Sequence, residues 1–213
     1  MIKNIIFDLG GVVIDLDRDR AVRQLENLGL TNVSHLLGEY EQKGDFLALE
    51  KGEKSSAELY DAILSLCPSD VTATRIRDAF EAFLVALPPE RLKAIRALRE
   101  MGFHTYVLSN TNPIMYNHWI ENAFRQEGLT INDYFDGITV SFQERLCKPD
   151  PRIFLNVVKR YHLNPAETLM LDDSAANCES ARSIGLQAIR VMKNGVDSFS
   201  EICKRLMEEA SKQ

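Results

Sequence analysis

No C-x-x-C pair, no G-x-G-x-x-G fingerprint, no P-loop lysine and no apolar run of membrane length occur in this 213-residue chain. Each absence removes a class of function. The four cysteines, Cys67, Cys147, Cys178 and Cys203, stand apart from one another and from the four scattered histidines, which points away from a zinc cluster or a redox dithiol and leaves reduced thiols. The short apolar run after Met1-Ile2-Lys3-Asn4 is stopped by Asp8, too soon for a signal peptide or a span, so the cytoplasm is the expected location. Basic charge is scarce: 25 Lys and Arg face 31 Asp and Glu, for a net charge of -6. Nucleic acid and membrane surfaces both reward excess positive charge, so neither is expected as a partner. A small anionic ligand would instead be met by a local positive site. With 45% hydrophobic and 26% charged residues, the composition is that of a soluble globule. The length suits one core plus a small accessory module, as a monomer or a homodimer.

The grammar of the chain changes twice. Ile5-Ile6-Phe7 reads as a buried strand that ends in the loop Asp8-Leu9-Gly10-Gly11, and Val12-Val13-Ile14 as a brief strand of a flap. From Asp17 to Leu87 no strand pattern occurs; helices are predicted over Arg20–Leu28, Val33–Tyr40, Ala57–Leu66 and Thr72–Leu84. After Pro88-Pro89 helices alternate with strands: helix 90–101, strand 104–108, helix 114–124, strand 137–141, helix 151–161, strand 168–171, helix 175–184, strand 187–191 and helix 196–209. Such alternation predicts an α/β fold, a Rossmann-like parallel sheet with helices on both faces. Residues 1–16 and 88–213 then form the core, and residues 17–87 form a helical cap inserted after the first strand.

Ligands of open parallel sheets bind beyond the carboxyl ends of the strands. The polar residues there are Asp8, then Ser109 and Asn110, then Lys148, then Asp172 and Asp173. Three carboxylates are hard ligands suited to magnesium, and a cluster of them repels itself unless a cation relieves it. Ser109 and Asn110 can donate to phosphoryl oxygens, and Lys148 can neutralise charge on a phosphate and on a nucleophile together. Taken singly, each residue has a plain structural reading: Asp8 a turn residue, Asp172 or Asp173 a helix cap, Asn110-Thr111-Asn112-Pro113 a helix start, Lys148 a solvated lysine.

Together, Phe7-Asp8-Leu9-Gly10-Gly11-Val12, Leu108-Ser109-Asn110, Lys148-Pro149-Asp150-Pro151 and Leu171-Asp172-Asp173-Ser174 resemble the four ordered motifs of the haloacid dehalogenase superfamily. The similarity is greatest to its capped sugar-phosphate phosphatases, relatives of glucose-1-phosphate phosphatase and β-phosphoglucomutase. That resemblance implies a magnesium-dependent phosphatase acting on a small phosphorylated substrate through an aspartyl-phosphate. It implies Asp8 as nucleophile and metal ligand, the Gly10 carbonyl and Asp173 as metal ligands, and Asp172 as an outer-shell group. Ser109 and Asn110 become phosphate contacts and Lys148 the charge neutraliser. Lys51 and Lys54, in a polar break between cap helices, are candidate substrate contacts.

One position departs from that pattern. Most phosphatases of the superfamily carry an aspartate two residues after the nucleophile to protonate the leaving group, and here Gly10 stands there. Such assistance contributes about 10²- to 10⁴-fold in rate. Asp15 and Asp17 are candidate substitutes, although a solvated flap is the simpler role for both. Without a donor, esters with good leaving groups, such as hexose 1-phosphates, should outperform 6-phosphates. A binding protein without turnover and a metal-free dehalogenase are the two rival readings. His104 and His118, which have no acidic neighbour in sequence, read as structural, and Tyr116 and Trp119 as core.

Overall fold

The computed structural model describes residues 1–38 and 42–212. In chain order the elements are β1 (Asn4–Phe7), β2 (Asp15–Leu16), α1 (Arg18–Asn27), α2 (Val33–Leu36), α3 (Gly44–Glu50), α4 (Ser56–Leu64), α5 (Ala73–Glu81), β3 (Leu84–Ala86), α6 (Pro89–Glu100), β4 (His104–Ser109), α7 (Glu121–Ala123), α8 (Ile131–Tyr134), β5 (Gly137–Val140), α9 (Ser141–Glu144), α10 (Pro151–Arg160), β6 (Thr168–Asp172), α11 (Ala175–Ser183), β7 (Gln187–Arg190) and α12 (Phe199–Ala210).

Five strands make one parallel sheet in the order β5-β4-β1-β6-β7. β1 is central, with Phe7 opposite Val107 of β4 on one side and Leu171 of β6 on the other. Its side chains alternate between two apolar clusters. Ile5 and Phe7 pack with Leu92, Ile95 and Leu98 of α6 and with Phe199 and Ile202 of α12. Ile6 points the other way, toward Ile153, Phe154 and Val157 of α10 and Ala181 of α11. A strand covered on both faces has no polar side to show, which is why β1 reads as an unbroken apolar run. Among the described residues, no helix is long and apolar enough to cross a membrane.

Helices α1 to α5, the insert, lie between β2 and β3, and three of them start where the sequence offers caps: Asp17 for α1, Ser55 with Glu58 in a capping box for α4, and Thr72 for α5. Phe46 meets Phe80 edge-on at 5.0 Å between ring centres. The larger apolar cluster runs from the sheet into the insert, joining Phe7 and Val13 to Leu25, Leu49 and Phe80.

Several expected elements are corrected. Val12-Val13-Ile14 is a tight turn, not a strand: Gly11 adopts φ 72, and the N–H groups of Val13 and Ile14 both donate to the Leu9 carbonyl at 2.8 Å. Nor is the stretch to Leu87 free of strands. Leu84–Ala86 pairs antiparallel with Asp15–Leu16, two pieces too short to display a period of two. This ribbon ties together the two connections of the insert, and Arg91 clamps it through Asp15 at 2.7 Å. The helix expected over Val33–Tyr40 ends at Leu36, and its expected end at Tyr40 lies outside the described residues. α3, with Phe46, Leu49 and Glu50 buried, was not anticipated. The segment after Ile114 winds as a π-helix over Met115–Ile120 before α7, Ser141 begins α9 rather than ending β5, and the last helix starts at Phe199.

The insert meets the core closely at Gly52, just after α3. Its φ is 64, and a Cβ there would lie 2.1 Å from the carbonyl oxygen of Phe142 in α9. Gly52→Ala should therefore push α3 off α9, costing about 2 kcal/mol and lowering Tm by roughly 4–8 °C. Thermal unfolding and limited proteolysis of the insert would measure both effects. An unchanged Tm with unchanged protease resistance would show that α9 yields freely.

Candidate active site

In this sheet the chain runs from β1 toward β4 and β5 on one side, then crosses to β6 and β7 on the other. A crevice opens where the strand order reverses. Asp8, directly after β1, and Asp172, the last residue of β6, lie side by side there, and the Asp8 backbone N–H donates to the Leu171 carbonyl at 2.9 Å. Asp8 Oδ1 accepts from the Leu9 N–H at 2.7 Å, and Oδ2 is 2.9 Å from Lys148 Nζ. The same Nζ donates to Asp172 Oδ2 at 2.6 Å. Asp172 Oδ1 accepts from the Ser174 N–H and from Asn177 Nδ2, both at 2.9 Å. One carboxylate oxygen from each of Asp8, Asp172 and Asp173 lies within 4.8 Å of the others. Asp173 comes this close because Gly11 has no side chain: a Cβ there would sit 2.1 Å from Asp173 Oδ2.

The electrostatics are unbalanced. The Lys148 side chain is wholly buried. Burial alone would pull its ammonium down, but Asp172 and Asp8 outweigh it and hold the group above its usual range. Burial pushes the Asp8 carboxyl up to about 7 against the attraction of Lys148, and Asp172 and Asp173 push the same way. Three carboxylates against one ammonium leave two negative charges in one place. Two such charges 4 Å apart repel by about 4 kcal/mol at an effective dielectric near 20. The donor set is all hard oxygen and its excess charge is that of a dication, so these residues fit magnesium. Asp8 and Asp173 could hold the ion, and Gly10 lines the same cavity. Asp172, already engaged by three protein donors, is suited to an outer place.

Asn110 has a task that the sequence did not reveal. Its Oδ1 accepts from the Lys148 N–H at 2.8 Å and its Nδ2 donates to the Lys148 carbonyl at 2.9 Å, so the side chain clamps the lysine backbone. One Nδ2 hydrogen remains for other acceptors. Thr111 and Ser141 exchange a similar pair of bonds at 3.0 and 2.9 Å. Asn112 Oδ1 caps the π-helix through the Ile114 and Met115 N–H groups. The plain helix-start reading therefore holds for Asn112. The cap of α11 is Ser174, assisted by Asp172.

Asp8, Gly10, Ser109, Asn110, Lys148 and Asp173 all line one cavity of about 90 Å³, roofed by Gln42, Phe46, Glu50 and Phe80 of the insert. Lys51 and Lys54 are not among its lining residues; Lys54 pairs with Asp45 at 2.7 Å. Asp15 and Asp17 face away too, one bound to Arg91 and the other capping α1. Gln42, Glu50 and Asn177 were missed. Asn177 was findable as the residue one turn into the helix that Ser174 starts, but nothing local marks Gln42 or Glu50. The histidines have distant acidic partners: His104 meets Asp136 at 3.3 Å and His118 meets Glu81 at 2.7 Å. Tyr116 belongs to the apolar core, as expected, and Trp119 is partly buried against it.

The family profile of haloacid dehalogenase-like hydrolases matches residues 2–185, and the chain belongs to that family. It is 37% identical over 202 residues to a D-ribitol-5-phosphate phosphatase of Bacteroides thetaiotaomicron, covering 95% of this chain and 97% of the relative. It also resembles the crystal structure of a haloacid dehalogenase-family enzyme of the same organism in complex with magnesium and inorganic phosphate. That similarity has a TM-score of 0.84 at 34% identity and covers 92% and 96% of the two chains. An L-2-haloacid dehalogenase from Xanthobacter autotrophicus shares the fold, with a TM-score of 0.60 at 20% identity over 97% and 88% of the two chains.

The two neighbouring aspartates should separate in experiment. Asp173→Ala would remove one of the carboxylates that could hold the ion, so magnesium affinity by calorimetry should fall about 10- to 100-fold with little change in urea unfolding. Asp172→Ala orphans buried donors and half of the support of Lys148, so it should cost about 2–4 kcal/mol in chelator and affect magnesium less. Equal, small effects from both would reduce the pair to a helix cap.

Proposed function

We propose that this protein is a magnesium-dependent phosphatase of small sugar or polyol phosphates that works through an aspartyl-phosphate on Asp8. The observation that carries this reading is the buried Lys148 bridging Asp8 and Asp172, with Asp173 alongside, at the reversal point of the sheet. A carboxylate held by Lys148 on one oxygen and by the Leu9 N–H on the other is oriented for attack, an established route for phosphoryl transfer. Lys148 neutralises the incoming phosphate, while Ser109 and the remaining Asn110 N–H bind its oxygens. Asn110 also fixes Lys148 in place through its backbone clamp. When bound, magnesium supplies the balancing positive charge and polarises the phosphoryl group.

The relative's substrate supports a sugar or polyol phosphate, and so does the roof of the cavity. Gln42 Oε1 is buried without a hydrogen-bond partner among the described residues, an acceptor suited to a substrate hydroxyl. Phe46, Phe80 and Phe83 offer apolar walls for carbon-bound hydrogens. Lys51 and Lys54, which do not line the cavity, could bias substrate choice only through their charge.

The test is hydrolysis of a panel of sugar and polyol phosphates, with magnesium and with chelator. Turnover should require magnesium and be lost in Asp8→Asn, whose amide cannot attack phosphorus, while the variant unfolds like the wild type. Retention of more than a few per cent of activity in Asp8→Asn would falsify the nucleophile assignment. Turnover of haloacids that persists in chelator would point instead to a dehalogenase.

Substrate choice should follow the roof. Gln42→Ala should raise KM for hydroxyl-rich phosphates by about 5- to 30-fold, the equivalent of one lost hydrogen bond of about 1–2 kcal/mol, with kcat for an aryl phosphate little changed. Equal KM values across the panel would show that Gln42 does not face the substrate.

A further inference from the structure

The departure at position 10 leaves a chemical gap. An alkoxide leaving an alkyl phosphate needs a proton, and a pentitol phosphate esterified at its terminal carbon, the kind that gives the Bacteroides relative its name, leaves as such an alkoxide. Gly10 offers no side chain. The place where its Cβ would stand lies 3.0 Å from Leu16 Cδ1, so a residue of β2 fills that side. Asp15 and Asp17 are occupied elsewhere. Among the described residues, the carboxylates that line the cavity are Asp8, Asp173 and Glu50. The first two belong to the charge cluster.

Glu50 comes from the opposite wall. It is the last residue of α3 and only 8% exposed, although it is a glutamate on an inserted helix. Phe46 lies one turn earlier on the same helix face and lines the same cavity, so this buried face of α3 forms part of the roof of the site. Two residues on, Gly52 presses against the Phe142 carbonyl and fixes the end of α3 over α9. The carboxyl also lies within electrostatic reach of the loop that carries Lys148: burial pushes the Cys147 thiol up to about 12, and Glu50 adds to that push.

Building on the phosphatase reading, we infer that Glu50 is the catalytic acid and base of this enzyme, delivered by the insert in place of the carboxylate missing at position 10. Asp8 Oδ attacks phosphorus, the bond from phosphorus to the ester oxygen breaks, and that oxygen leaves with the electron pair while taking the proton of the Glu50 carboxyl. The Glu50 carboxylate then accepts a proton from the water that attacks the aspartyl-phosphate. The bond from phosphorus to Asp8 Oδ breaks, releasing inorganic phosphate and restoring both side chains. The proton donor reaches the ester only while α3 is docked, so insert closure and proton transfer become one event.

The experiment compares kcat/KM over a series running from nitrophenyl phosphate through phenyl phosphate to alkyl phosphates, for the wild type and Glu50→Gln in magnesium. For alkyl phosphates the loss should be about 10²-fold or more, shrinking steadily as leaving-group acidity rises, and the variant should prefer hexose 1-phosphate to hexose 6-phosphate more strongly than the wild type does. With nitrophenyl phosphate the variant should release a burst of one equivalent of nitrophenol per enzyme, because hydrolysis of the aspartyl-phosphate also lacks its base. Glu50→Ala should regain alkyl phosphate turnover on addition of formate. A wild-type dependence on leaving group in Glu50→Gln overturns the assignment, and so does a uniform loss across the series without formate rescue. A wild type that hydrolyses none of these esters in magnesium would instead overturn the phosphatase reading itself.

Discussion

Lys148 is a cation whose side chain is wholly buried, and the geometry of the site follows from what must surround such a group. A buried ammonium is tolerable only between carboxylates, so Asp8 and Asp172 are drawn to it at 2.9 and 2.6 Å. Those two partners arise from adjacent strands, β1 and β6, whose pairing brings their ends together. Asn110 fixes the lysine backbone from β4, the neighbour on the other side. Three strands are thus pinned by one charge. Asp173, admitted by Gly11, tips the balance to an excess of two negative charges, and a dication completes what the lysine begins. The three carboxylates would repel one another if left to themselves, and a bound dication offsets that repulsion.

Where interactions are local or strictly ordered, the sequence was readable. β1, β4 and β6 are buried on both faces and show as plain apolar runs, and the residues after them take their places from the parallel sheet alone. Helix starts at Asp17, Ser55, Thr72 and Ser174 carry their own caps. The failures share a different cause. The β2–β3 ribbon joins residues far apart in sequence across two short pieces, and its pairing is set by closure of the insert. α3 is seven residues long, with Phe46 and Leu49 buried by docking instead of by a long periodic stripe. The π-helix at Met115–Ile120 answers to Asn112 at its start and to packing beneath it, where simple period counting sees an ordinary helix.

The same division runs through the site. Asp8, Ser109, Asn110, Lys148, Asp172 and Asp173 come from the core and could be named from order alone, since each stands at the carboxyl end of a strand or in the connection beyond it. Even so, their duties were not all readable: the Asn110 side chain is a clamp on the lysine as much as a donor to the cavity. The roof is another matter. Whether Lys51, Lys54 or Glu50 faces the cavity depends on the rotation of α3 against α9, and Gly52 fixes that rotation through its contact with Phe142. No pattern within residues 42–55 encodes where α9 will be.

This asymmetry bears on how such a site can change. Asp8, Lys148 and Asp172 are over-determined: each is held by two or three polar partners, so deleting one disturbs the rest. The roof half is held by docking, and its polar residues, Gln42 and Glu50, line the cavity from outside the sheet. Proton donation can therefore pass from the core to the insert at modest cost in stability, provided that the insert closes tightly enough to exclude water from the transfer. Gly10 and Glu50 fit the two ends of such a transfer. A glycine after the nucleophile leaves room for Leu16 and the β2–β3 ribbon, and that ribbon is what holds the ends of the insert together. The residue whose absence creates the need for a remote acid is thus next to the structural feature that makes a remote acid possible.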